Sequence, residues 1–141
     1  MIARSDTSLP IPAPHPLEES ERLAWQAEAA VSLLERFGEL VGIALDAVGA
    51  GDDAAFASAL AERARLVLLL EPLLDELAQA RYRARTYAAP LATEALAEIL
   101  RPVDEAVRYA RLLHARLVDE VSERERSQRP PARRRRAALV S

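Results

Sequence analysis

The chain has 141 residues, of which 50% are hydrophobic, 29% are charged and none is cysteine. This length provides material for one hydrophobic core, and the lack of cysteine excludes disulfide bonds and thiolate metal sites. All 19 basic residues are arginine, so lysine Schiff-base chemistry and a Walker-type phosphate lysine are also excluded. An abundance of Ala, Leu, Glu and Arg is typical of long helices rather than sheets.

The net charge of −3 is distributed unevenly along the chain. Residues 1–123 contain 12 Arg against 21 acids, whereas residues 124–141 contain seven Arg against one Glu. The chain has neither the hydrophobic region of a signal peptide nor an apolar run of about 18 residues, which a membrane span needs. We therefore expect a cytoplasmic protein that does not contact a membrane.

The N-terminal segment contains prolines at positions 10, 12, 14 and 16. Prolines this close together exclude a helix and favour extended polyproline II structure. The pattern predicts a disordered, proline-rich arm over residues 1–19.

Apolar residues then recur at steps of three and four, which is the period of an amphipathic helix. The first predicted helix spans residues 20–49, with Ser20 as its N-cap and glycines at its end. Its apolar stripe consists of Leu23, Val31, Leu34, Phe37, Val41, Leu45 and Val48. Leu33 and Leu40 flank this stripe.

The second predicted helix begins at Asp52 or Asp53, since a short carboxylate can accept amide protons of the first turn. It continues to about Thr86, and its stripe consists of Phe56, Leu60, Val67, Leu70, Leu74 and Leu77. Pro72 lies inside this helix and removes one backbone hydrogen bond. We expect a kink near residues 68–72.

The third predicted helix follows Ala89-Pro90, because the residue before a proline avoids the helical region. It starts at residue 91 or 94 and ends at 126. Pro102 either kinks this helix or marks its true first turn. Its apolar face consists of Leu96, Leu100, Val103, Val107, Ala110, His114, Leu117 and Val121.

Three helices of this length with short connections predict an all-α fold. The simplest arrangement is an antiparallel, up-down three-helix bundle over residues 20–127, with disordered termini. A division at the prolines into four or five shorter helices remains an alternative, and so does a four-helix bundle.

No motif in the sequence predicts an enzyme, a cofactor or a metal site. Residues 49–54 match the GxGxxA pattern of dinucleotide-binding turns, but a helix precedes them and two aspartates would repel a pyrophosphate. No Glu-x-x-His pair, as found in di-metal bundles, is present. His114 leaves open a phosphotransfer role if it is exposed, although a partly buried structural histidine is the favoured interpretation.

The segment LVLLLEPLLDEL, residues 66–77, is apolar over more than half of its helical circumference. A helix of this kind is buried on most sides or binds a partner. We expect a fourth amphipathic helix, from a partner protein or a second copy of the chain, to cover it. The predicted partner-binding residues are Leu66, Leu68, Leu69, Leu70 and Leu73.

Residues 33–67, LLERFGELVGIALDAVGAGDDAAFASALAERARLV, resemble flagellar export chaperones of the FlgN/FliT type. Gly51-Asp52 and Glu62-Arg63 match the turn and the following helix of that family. The resemblance implies a small cytoplasmic bundle that binds the terminal helices of flagellar axial or cap subunits before export.

Residues 128–141 form a predicted disordered basic tail. It contains the cluster Arg133, Arg134, Arg135 and Arg136, which could neutralise a few phosphates. The sequence thus predicts a non-enzymatic protein that binds a helical segment. A nucleic-acid-associated protein that uses these arginines is the alternative.

Overall fold

The computed structural model describes residues 16–87 and 90–128, and these residues form three α-helices. Helix α1 spans Pro16–Ala50, α2 spans Asp53–Tyr87 and α3 spans Pro90–Gln128. The all-helical class is confirmed, and no fourth helix occurs in these two ranges. The arm up to residue 15 and the basic tail from residue 129 lie outside the described residues.

Helix α1 begins at Pro16, four residues before the predicted start at Ser20. Proline is accepted at the first position of a helix, where its missing N–H would have no intrahelical acceptor. Glu18 and Glu19 in the first turn interact favourably with the positive end of the helix dipole. These features outweigh the cap that was predicted at Ser20.

The turn between α1 and α2 has the hydrogen bonds of a Schellman motif. The Gly51 amide donates to the carbonyl of Val48 at 3.2 Å, and the Asp52 amide donates to that of Ala47 at 2.9 Å. The Asp52 carboxylate accepts the amide of Ala55 at 3.0 Å. The predicted N-cap is therefore confirmed as Asp52.

Both internal prolines lie inside continuous helices, Pro72 in α2 and Pro102 in α3. The alternative that they divide the chain into shorter helices is wrong over the described residues, and Pro102 does not mark a first turn. Both prolines are exposed, so water can bind the carbonyls that they leave without an amide donor.

Helix α1 packs along both other helices, whereas α2 and α3 touch each other only sparsely. Helix α1 is therefore the shared neighbour of the other two helices. Four small side chains of α1 are buried and allow close approach on two sides: Ala27, Ala30, Ala44 and Ala47.

The predicted apolar stripes form the core in two clusters. The cluster near the α1–α2 turn contains Val41, Ala59 and Leu117, and a larger cluster extends toward the other end of the bundle. Leu40, which the sequence placed beside the stripe of α1, is fully buried. Because α1 has neighbours on two sides, its apolar arc is wider than one stripe.

Candidate functional site

An open apolar groove lies between α2 and α3, because these helices touch each other so little. Its volume is about 590 Å³, and α1 forms its floor. Seven apolar side chains line it: Leu34, Phe37, Val67, Leu70, Leu74, Val107 and Ala110. Two arginines and one histidine also line the groove: Arg63, Arg111 and His114.

The polar lining residues are held at one end of the groove. A guanidinium N–H of Arg63 on α2 donates to Nδ1 of His114 on α3, with 3.1 Å between the nitrogens. The same guanidinium lies over the ring of Phe37 on α1, 5.7 Å from its centroid. A hydrogen bond and a cation–π contact thus fix the Arg63 side chain above the groove floor.

Ion pairs outside the groove use the other arginines that face a neighbouring helix. Arg36 contacts Glu39 at 2.9 Å and Glu62 at 3.2 Å, and these hydrogen bonds raise the pKa of Arg36. Arg81 on α2 contacts Asp104 on α3 at 2.8 Å and joins the two helices beyond the groove, on the side away from Arg63. Glu62, next to Arg63 in sequence, is therefore already paired with a different arginine.

The predicted partner-binding leucines lie on several sides of α2. Leu70 is buried and lines the groove, and Leu66 and Leu73 are partly buried. Leu68 is 71% exposed and Leu69 is 58% exposed, and neither lines the groove. The structure therefore brings one of the five predicted residues into the groove.

Leu73 belongs to a second cleft, on the outer side of α1 and α2. This cleft is lined by Leu73, Gln26, Ala29 and Trp25, whose indole is 78% exposed. Leu66 is seven residues from Leu73, so the two leucines share one side of α2. We call this surface the outer cleft, to distinguish it from the groove.

His114, which the sequence places on the packed face of α3, is exposed. Its ring lines the groove and accepts a hydrogen bond from Arg63 of α2. Among the described residues, no cluster of three His, Cys, Asp or Glu side chains could hold a metal ion. Arg133, Arg134, Arg135 and Arg136 are outside the described residues.

Sequence reasoning missed the basic end of the groove. Arg63 and Arg111 lie on different helices, and periodicity within one helix gives no information on which residues of another helix lie opposite. The available signal was that Arg63 falls on the apolar side of α2, seven residues before Leu70, where a charged side chain requires a special contact.

Comparisons with protein-family models, with curated proteins and with solved structures found no match for this chain. None of the helices in the described part is long and apolar enough to span a membrane.

Proposed function

We propose that this chain is a non-enzymatic cytoplasmic protein that binds an amphipathic helix of a partner protein in the groove between α2 and α3. The observation that carries this proposal is the groove itself, whose seven apolar side chains come from all three helices. A helix that buries one leucine there gains about 1.5–3 kcal/mol from that side chain.

The direction of the helices supports a position for a fourth helix. Glu19 contacts Arg83, and Arg36 contacts Glu62. Helix α2 therefore runs antiparallel to α1. A side chain at Gly38 would meet Leu113, and Arg124 donates to the carbonyl of Val48. Helix α3 therefore runs parallel to α1. We infer the up-down-up arrangement, in which the open groove occupies the fourth position of a bundle.

We further propose that the partner is an exported flagellar subunit, as the FlgN/FliT resemblance implies. Of the residues that carry the resemblance, Arg63 lies at the basic end of the groove, whereas Gly51 and Asp52 form the α1–α2 turn outside it. Gly51 and Asp52 form the turn, and Arg63 reaches the groove through its contacts with Phe37 and His114.

The binding test uses fluorescently labelled synthetic helical peptides of about 15 residues, which form about four helical turns over roughly 22 Å. One peptide carries leucines at i, i+3 and i+7, and others copy terminal helices of flagellar axial and cap subunits. We expect Val67→Asp to weaken peptide binding at least about tenfold, because a charged side chain replaces an apolar contact of the groove and can pair with Arg63, one helical turn away. Fluorescence anisotropy measures the affinity, and circular dichroism checks that the variant remains helical.

The matched control is Leu68→Asp, which places the same charge one residue away on an exposed side of α2. We expect it to bind the peptides normally. Leu69→Asp tests the original leucine prediction, and Trp25 reports on the outer cleft by its fluorescence. If Leu69→Asp abolished binding while Val67→Asp did not, the binding surface would be the outer side of α2 and the groove proposal would be wrong.

A further inference from the structure

The basic end of the groove contains two arginines without a carboxylate partner. Among the described ion pairs, none involves Arg63 or Arg111. Of the described residues that line the groove, none is acidic. By contrast, the arginines at positions 36 and 81, which also face a neighbouring helix, each contact a carboxylate within 3.2 Å.

We propose that this end of the groove binds an acidic side chain of the partner helix, at the end of that helix's apolar stripe. This inference rests on the proposed function and specifies the partner's chemistry. The Arg63 guanidinium is already oriented by Phe37 and His114, so little side-chain entropy is lost when a carboxylate binds it. Arg111 approaches the same site from α3 and adds a second cation.

The spacing along α3 sets the length of the motif. Asp104, which pairs with Arg81 at one end, and His114 at the other end are ten residues apart, or about 15 Å along a helix. This distance accommodates roughly three turns of a partner helix. The partner sequence therefore carries apolar residues at i, i+3 or i+4, and i+7, with Asp or Glu within one turn of one end of this stripe.

The chain's own terminal segments do not have this chemistry. Residues 129–141 contain five arginines and no acid, so the basic end of the groove would repel them. Residues 1–15 contain prolines at 10, 12 and 14 and one acid, Asp6, and they have no apolar helical stripe. Neither terminal segment therefore suits the groove, which favours a segment of another protein as the occupant.

An open groove favours a helix over a small amphiphile such as a fatty acid. Small-molecule sites enclose most of the surface of their ligand, whereas no element within residues 16–87 and 90–128 covers this groove. A helix needs contact on one face only, because its own backbone groups are already hydrogen-bonded.

The test compares two labelled peptides with the same leucine stripe, one with Glu and one with Gln at the end of the stripe. A third peptide carries the Glu on the solvent-facing side. We expect the first peptide to bind at least about tenfold more tightly than the other two, since a hydrogen bond between charged groups is worth about this factor. Sodium dodecanoate serves as the small-amphiphile competitor.

The protein variants are Arg63→Gln and Arg111→Gln, with Arg65→Gln and Arg108→Gln as exposed controls that do not line the groove. We expect both groove variants to remove the preference for the Glu peptide while leaving the affinity for the Gln peptide nearly unchanged. Since Arg63 also contacts Phe37 and His114, Arg111→Gln keeps the test valid if Arg63→Gln loses helical structure.

Three results would overturn the inference. Equal binding of all leucine-stripe peptides would remove the acidic site and leave the helix-binding function intact. If no peptide bound, the proposed function would fail as well. If dodecanoate displaced the peptides in an Arg111-dependent manner while Glu and Gln peptides bound equally, the basic end would be a site for a small carboxylate.

Discussion

Gly51 joins α1 to α2 with a backbone φ of +70°, in the left-handed region that residues with a side chain avoid. An added Cβ would also lie 3.2 Å from Nη2 of Arg124, whose guanidinium donates to the carbonyl of Val48. The positive φ therefore favours glycine at this position, and a side chain there would also require the Arg124 guanidinium to shift by a few tenths of an ångström.

We therefore expect Gly51→Ala to lower the free energy of unfolding by at least about 1 kcal/mol. Gly49→Ala is the matched control, because Gly49 is in helix α1 and its Cβ position is open. That change should raise stability by about 0.4–1 kcal/mol. Urea unfolding followed by circular dichroism measures both, and equal stability of the two variants would contradict the role assigned to Gly51.

At the residue scale, the sequence predicted what depends on neighbours along the chain. The Asp52 cap was predictable because the acceptor and its amide donor are three residues apart. The contacts of Arg63 were not, since Phe37 and His114 are 26 and 51 residues away and lie on different helices. The exposure of His114 has the same origin, because it depends on how α2 lies relative to α3.

At the scale of the helices, the apolar stripes were predicted correctly except at His114, which is exposed, and the unequal packing of the three helices was not predicted. Each stripe follows from the helical period, so Leu70 and Leu77 of α2 and Leu100 of α3 are buried as expected. The central position of α1 depends on buried alanines such as Ala30 and Ala44, which carry little hydrophobic signal. Small residues on both sides of a helix indicate two close neighbours, and this pattern could have identified α1 as the central helix.

Pro72 weakens helix α2. It lies in the interior of α2 on an exposed side, and it removes the hydrogen bond to the carbonyl of Leu68. We expect Pro72→Ala to increase the free energy of unfolding by up to about 3 kcal/mol. Glu71→Ala, at the neighbouring exposed position, should change it by less than about 0.5 kcal/mol. Thermal and urea unfolding provide the measurement.

A kink near residues 68–72 stays a prediction, and the same variant tests it. If the kink directs α2 away from α3, straightening the helix in Pro72→Ala should alter the affinity for the labelled helical peptides while Glu71→Ala leaves it unchanged. A loss of stability in Pro72→Ala would contradict the expected gain. It would mean that core packing depends on the bend that proline imposes.

At the scale of the whole molecule, the distribution of charge separates the bundle from the C-terminal segment. Residues 16–128 contain 13 Arg against 21 acids, a net charge of −8. Residues 129–141 carry five Arg and no acid. The helical surface as a whole therefore repels a polyanion, and the basic end of the groove is a local exception to that charge.

The nucleic-acid alternative consequently depends on Arg133, Arg134, Arg135 and Arg136. Four phosphate contacts give a log–log salt slope of about −3.6, which predicts roughly a thousandfold loss of affinity between ~20 and ~150 mM salt. We expect a labelled DNA duplex to be retained on a filter weakly at the lower salt concentration and not at the higher one. Replacing all four arginines with serine should abolish retention without changing the affinity for the labelled helical peptides.

Arg65→Ser with Arg108→Ser, which removes charge from the bundle, is the control and should retain the DNA. Retention that persisted at ~150 mM salt or in the four-serine variant would place a nucleic-acid surface on the acidic bundle, whereas no retention at ~20 mM would eliminate this alternative.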